Sequence, residues 1–453
     1  MVTRHSPVSE FALLRIGRLW LARCVLAFVR LLKPFAGRLA WSYPRRWKAW
    51  QSFRYRLVQG AIPRMARTGY PSPARALPFG VNVVGYVQSE KGTGEGMRAS
   101  LRALRAAAIP HLANQLIDPG SRNVHPAPWG PNHPYRVNLV HVNPDQVPHA
   151  AHQLGWNYFS GRYNIGYWPW ELPDFPDAWR ASAVCFHEIW VPSRFVQDAV
   201  SRVVDVPVVR IPHAIALDDA ALEAFHNGHA PQRREGIFRF VCVFDFMSYW
   251  QRKNPFGVLK AFKRAFPNPD GVELVIKSMH ANVIPTIFRE LHHLARGTAT
   301  RIIDEVWSHE AVQRLIAEAD CVVSLHRSEG FGLVLAETMA LGKPVIATGY
   351  SGNTDFMTAE NSLLVDYRLV ELKEDVGPYM RGSRWAEPDL DHAATHMRWV
   401  VSHREEARAV GARAAQTIKE ELSPEAVGRM ITERLRCGID PAEDLDVSIR
   451  ACR

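Results

Sequence analysis

Residues 326 to 348 read "HRSEGFGLVLAETMALGKPVIAT", and their pattern decides the fold. The apolar run "CVVSL" just before them ends in a turn with Gly330, Phe331 and Gly332. A helix-like run then reaches to about residue 341, Gly342-Lys343-Pro344 stops it, and "KPVIATGY" starts a second strand. Strand, glycine turn, helix, strand is the repeating unit of a parallel sheet wound with helices. Two acids, Glu329 and Glu337, stand eight positions apart within it. Eight helical steps span about 12 Å and rotate about 80°. The carboxylates are thus too far apart to share a proton, yet they could hold two parts of one elongated ligand.

The same texture extends in both directions. Upstream come the strand-like runs "GVNVVGYV" (80–87), "YRVNLVHVN" (135–143), "RYNIGYW" (162–168), "FHEIWVPS" (186–193) and "VPVVRIP" (206–212). A second series follows "HNGHAPQRREG" (226–236), the natural linker: "FRFVCVFDF" (238–246), "VELVIKS" (272–278), "TRIIDEVW" (300–307), then the two strands of the opening stretch. Two such series predict two doubly wound parallel sheets. "KGTGEGMR" reads as a glycine turn before the helix "ASLRALRAAA", and "SPEAVGRMITERLRCG" as a closing helix with Ser423 as N-cap. The expected division is a basic segment over 1–76, a first Rossmann-like unit over 77–232, a second over 233–415, and a closing helix with tail over 416–453.

Charge is concentrated at one end. Fourteen Lys and Arg against the single Glu10 give residues 1 to 70 a net +13, so of the chain's +10 the other 383 residues carry −3. A general nucleic-acid surface is a poor explanation of such a distribution, and no nucleic-acid partner is expected. On a helical wheel Arg15, Arg18, Arg23, Arg30 and Lys33 fall within an arc of about 140°, with Leu14, Leu21, Val25, Phe28 and Leu32 largely opposite. The charge-free stretches are far shorter than the roughly 20 residues a span needs. An in-plane amphipathic anchor on an anionic membrane surface is the expectation. The six cysteines are scattered without CxxC pairs, which suits reduced thiols and a cytoplasmic protein peripheral to the inner membrane.

Ligands of doubly wound sheets bind beyond the carboxyl ends of the strands, and the turn 326–332 lies at such an end. Its backbone N–H groups at a helix N-terminus suit a diphosphate or a sugar hydroxyl. Carboxylates accept from vicinal hydroxyls, so the two spaced acids suit a nucleotide sugar.

"SEGFGLVLAETMALGKPVIAT" resembles the EX7E signature of retaining glycosyltransferases of the GT-B fold, a group that includes bacterial surface-polysaccharide mannosyltransferases. "FDFMSYWQRKNPFGVLKAFKRAF", "NIGYWPWELPDFPDAW", "EIWVPSRF", "GYSGNTDFM" and "GSRWAEPDLDHAA" are similar to further family segments, covering roughly residues 80 to 438. The resemblance implies an α/β GT-B protein whose two Rossmann-like units face a cleft. It implies that Glu329 contacts the donor sugar and Glu337 the ribose, that Arg252 and Lys253 bind the diphosphate, and that Lys277 points at the same cleft. Gly94 would let backbone approach the diphosphate or acceptor, and Glu171 takes a cleft role where many members have a histidine. No obligatory metal or cofactor is implied. The implied reaction moves a hexose, first of all mannose, from GDP-mannose or a UDP-hexose to a glycan or lipid-linked acceptor, with retention. An epimerase or phosphorylase of the same fold is the alternative, and an NAD-dependent oxidoreductase a weaker one, since GxGxxG would need glycine where Met97 stands.

Overall fold

The computed structural model describes residues 77–116, 132–217 and 235–439. The basic segment 1–76, most of the linker and the tail beyond 439 lie outside the described residues.

The first unit is a six-stranded sheet of β1 (Val81–Gly85), β2 (His111–Gln115), β3 (Val137–His141), β4 (Tyr163–Tyr167), β5 (Glu188–Val191) and β6 (Val208–Arg210). Its order is β2-β1-β3-β4-β5-β6, with every pairing parallel. The second sheet holds β7 (Phe238–Asp245), β8 (Val272–Met279), β9 (Thr300–Asp304), β10 (Cys321–Ser324), β11 (Val345–Thr348) and β12 (Leu363–Val365) in the order β12-β11-β10-β7-β8-β9. Counted from its own first strand this is the 3-2-1-4-5-6 order of dinucleotide-binding sheets. Strands covered on both faces need apolar side chains on both, which is why β7 and β8 read as near-continuous hydrophobic runs. Phe240, Phe262 and Ile276 pack in one layer, and Val241, Val275 and Leu315 in another.

Besides a single turn at Trp156–Phe159, the α-helices among the described residues are α1 (Gly92–Ala106), α2 (Val147–Leu154), α3 (Arg194–Ser201), α4 (Trp250–Lys253), α5 (Pro255–Ala265), α6 (Pro285–Ala295), α7 (His309–Ala317), α8 (Leu333–Ala340), α9 (Leu390–Ser402), α10 (Arg404–Glu421) and α11 (Pro424–Ile439). One corrects the sequence reading: "GTGEG" is no turn but the first turn and more of α1. Glycine disfavours an isolated helix by about 1 kcal/mol per residue, so tertiary packing decides here. A Cβ on Gly94 would lie 2.2 Å from the Ser89 carbonyl oxygen, and one on Gly96 2.7 Å from His213 Cε1. Gly94 therefore faces its own preceding loop.

Strands β2 and β12 were not anticipated, nor was the antiparallel hairpin of β13 (Tyr367–Glu371) and β14 (Arg384–Pro388). The segment joining β13 to β14 buries Leu372, Val376 and Tyr379 among Trp168, Trp170 and Phe175 of the first unit. The expected boundary at 415/416 falls inside α10. Beyond it Ser423 does cap α11, its Oγ accepting from Ala426 N at 3.2 Å. α11 returns to the first unit, where Val427, Ile431 and Leu435 join Val81, Met97, Leu104 and Leu139 in one core. Arg434 Nε donates to the fully buried Glu188 at 2.9 Å. The outgoing and returning chain run side by side where Ile215 N donates to Leu422 O at 2.7 Å.

Candidate functional site

The glycine turn after β10 is locked from behind. Glu329 N donates to Ser351 Oγ at 2.7 Å, and Gly352 N donates to Glu329 O at 2.9 Å. Gly332 starts α8 at φ 98°, a conformation that favours glycine, and no side chain caps the helix there. Its first-turn N–H groups carry the positive end of the helix dipole. A Cβ on Gly330 would meet the Trp170 carbonyl at 2.5 Å, and Ser193 Oγ donates to Gly330 O at 2.7 Å. Both facts put the turn directly against the first unit. Phe331 is buried between His213 and Phe356 and serves packing.

Into this turn α4 delivers two cations. The four-residue helix lies between Tyr249 at φ 63° and Asn254 at φ 53°, ψ 50°. Asn tolerates the left-handed region, and here its Oδ1 also caps α5 by accepting from Gly257 N at 3.1 Å. A tyrosine there is uncommon, and strained backbone of this kind gathers at functional sites. Lys253 Nζ lies 2.5 Å from Glu329 Oε1, and Arg252 Nη1 3.1 Å from Oε2. Arg252 Nη1 also donates to Ser328 O at 2.8 Å. Burial alone would raise the Glu329 pKa, but Lys253 and Arg252 outweigh it and hold the group down at about 2. The ionised carboxylate thus lies between two basic side chains beside a helix N-terminus.

Glu171 faces this cluster from the first unit. Its backbone oxygen accepts from Ser328 Oγ, its carboxylate accepts from Tyr379 OH at 3.1 Å, and its charge acts on Arg252. The neighbouring Trp168 and Trp170 are core residues, Trp168 stacked on Phe175 and Trp170 edge-on to it.

Glu337 lies apart, with other partners. Its Oε1 accepts from His309 Nε2 at 2.8 Å, and the ligand-type atoms of Glu95, His309 and Glu337 all lie within 4.8 Å of one another. Burial would lower the His309 pKa, but Glu337 and then Glu95 raise it to about 9. Glu95 is held at about 2: burial works against this, and Arg102, His309 and Arg98 prevail.

Lys277 has a set of partners of its own. Its ammonium donates to Ser278 O at 2.8 Å and Glu305 O at 2.6 Å and lies 4.7 Å from the Trp307 ring centre. Burial lowers its pKa to about 8. Those partners hold it at the β8–β9 side. Gly94 lies in α1, closely packed on the Ser89 carbonyl. Sequence reasoning does not find Glu95, His309 and Tyr379, for which local sequence offers no signal: Glu95 meets the site across the two units, His309 meets Glu337 within the second, and Tyr379 touches Tyr249 of the second unit and Glu171 of the first.

Residues 248–417, which carry Arg252, Lys253, Glu329 and Glu337, match the protein family described as "Glycosyl transferases group 1". A D-inositol 3-phosphate glycosyltransferase of Xylanimonas cellulosilytica is 38% identical over 104 residues, 22% of this chain and 24% of that protein, so the match spans about a quarter of the relative's length. Among solved structures, Anabaena HepE in complex with UDP and glucose superposes with a TM-score of 0.58 at 13% identity, covering 80% of this chain and all of that one. Sucrose-phosphate synthase from Thermosynechococcus elongatus gives 0.56 at 14%, covering 80% of this chain and 99% of that one. The chain has the GT-B fold, and the domain match and the fold agree on a glycosyltransferase.

Proposed function

We propose that this protein is a retaining, nucleotide-sugar-dependent hexosyltransferase of the EX7E type acting on a glycan or lipid-linked acceptor in surface-polysaccharide synthesis. The observation that carries the reading is the pairing of Lys253 and Arg252 with Glu329 at the uncapped start of α8. Two cations and a helix N-terminus are suited to the charge that develops on a departing diphosphate. They supply it without an obligatory metal. Glu329 then orients hydroxyls of the donor sugar, Glu337 takes the ribose hydroxyls, and Glu171 approaches the reacting sugar from the acceptor side. The leaving phosphate accepts the acceptor's proton on the same face, which gives retention.

The acceptor is placed at the inner leaflet because residues 1 to 70 carry +13 in an amphipathic pattern. Among the described residues no helix is long and apolar enough to cross a membrane. GDP-mannose is the first donor proposed and a UDP-hexose the second; the solved HepE complexes hold UDP and glucose or UDP-glucose. The test incubates the protein with GDP-, UDP-, TDP- and ADP-sugars and follows slow hydrolysis and thermal protection, with and without EDTA. One nucleotide sugar is expected to be hydrolysed and to protect, unaffected by EDTA. Protection by NAD and by none of the sugars would overturn the reading.

A further inference from the structure

We propose that His309 and Glu95 are positioning residues for Glu337, and that through Glu95 the recognition of the donor's ribose is coupled to closure of the two units. This rests on reading Glu337 as the ribose acceptor. A carboxylate offers about four acceptor positions. His309 occupies one, on Oε1 at 2.8 Å, which fixes the plane of the group and leaves positions for two vicinal hydroxyls. His309 is itself set by the start of α7, where Ser308 Oγ accepts from Ala311 N at 3.3 Å.

Glu95 reaches the same imidazole from the other unit, and its carboxylate is fixed independently of it. Arg102 Nη2 lies 2.6 Å from Oε1 and Arg98 Nε 2.9 Å from Oε2. Arg98 Nη1 also donates to the carbonyls of Val87 and Ser89, at 2.7 and 2.8 Å, tying α1 to the loop before it. The groups facing His309 are Glu337 from α8, Glu95 with Arg98 and Arg102 from α1, and Glu310 and Gln313 of α7 itself. Two glutamates and a histidine are also a donor set for a divalent cation. Here both oxygens of Glu95 are engaged by guanidinium groups, whose charge opposes a dication. An imidazolium bonded to Glu337, with the Glu95 carboxylate within 4.8 Å, suits the same geometry without a metal. When the units part, Glu95 withdraws and His309 loses one of its three anionic neighbours, so Glu337 is best oriented only in the closed arrangement.

Calorimetric titration with UDP and GDP between pH 7 and 10 tests this on wild type, Glu95→Gln, His309→Gln and Glu337→Gln, with unfolding midpoints as the control for folding. Expected for the better-bound nucleotide is a roughly tenfold loss of affinity in Glu95→Gln, within the usual range of coupling between sites. Wild-type affinity should fall several-fold as pH rises through about 9, and His309→Gln should abolish that dependence. If Glu95→Gln does not fold, the pH profile of His309→Gln decides. Wild-type affinity and pH profile in both variants overturn the proposal. If Glu337→Gln alone then loses binding, the ribose reading stands. A wild type that binds neither nucleotide overturns both. Thermal protection by Zn²⁺ or Mn²⁺, with nucleotide affinity indifferent to Glu95→Gln, overturns the proposal in favour of a metal site.

Discussion

Replacing Glu329 by glutamine removes the one carboxylate between Lys253 and Arg252. Arg252 is 3% exposed and the Lys253 side chain 21%, so neither charge is fully returned to water. Deleting one partner of a buried ion pair typically costs 3–5 kcal/mol; with Lys253 partly solvated the low end, about 3 kcal/mol, applies. For a unit of this size 1 kcal/mol shifts the unfolding midpoint by about 2–4 °C, so a fall of roughly 6–12 °C is expected. A bound diphosphate replaces the missing anion. Saturating nucleotide should therefore raise the variant's midpoint more than the wild type's, for which a hundredfold excess over Kd contributes about 2.7 kcal/mol. Differential scanning fluorimetry with and without UDP and GDP measures both. A midpoint within about 2 °C of wild type without nucleotide, or equal nucleotide shifts in the two proteins, would refute the argument. The acid limb gives an independent check. Glu329 is depressed from 4.5 to about 2, so its stabilisation is present above 4.5 and lost as pH falls toward 2. The variant should lack that limb.

Further perturbations probe the scaffold. Gly94→Ala places a Cβ 2.2 Å from the Ser89 oxygen and should lower stability by about 1–3 kcal/mol in urea unfolding. Glu188→Gln leaves Arg434 without its buried anion and should loosen α11, seen as faster amide exchange over Pro424–Ile439 while exchange in β7 and β8 is unchanged. Deleting residues 1–70 should release the protein from anionic vesicles in a sedimentation assay; unchanged binding would count against the anchor.

Strand-forming segments were legible wherever both faces are buried, because β7, β8 and β10 are then largely apolar runs. β2, "HLANQ", was not, since it pairs on one side only and its Asn114 and Gln115 interrupt the run. "GTGEG" misleads because three glycines normally signal a turn, whereas α1 needs Gly94 against the Ser89 carbonyl and Gly96 against the His213 ring, contacts that no local rule reports. At the site, Arg252, Lys253 and Glu329 do meet, though 76 residues separate Lys253 from Glu329. Glu95 and Glu337 come from different units, and only the folded arrangement of both reveals that His309 stands between them.

The return of α11 also sets an order of events during synthesis. β1 and α1 leave the ribosome early, yet the face formed by Val81, Met97 and Leu104 is completed by Val427, Ile431 and Leu435. The second unit, wholly translated by then, can fold first. The half that begins the chain is thus the last to be sealed, and until then it exposes an apolar surface of the kind that chaperones bind.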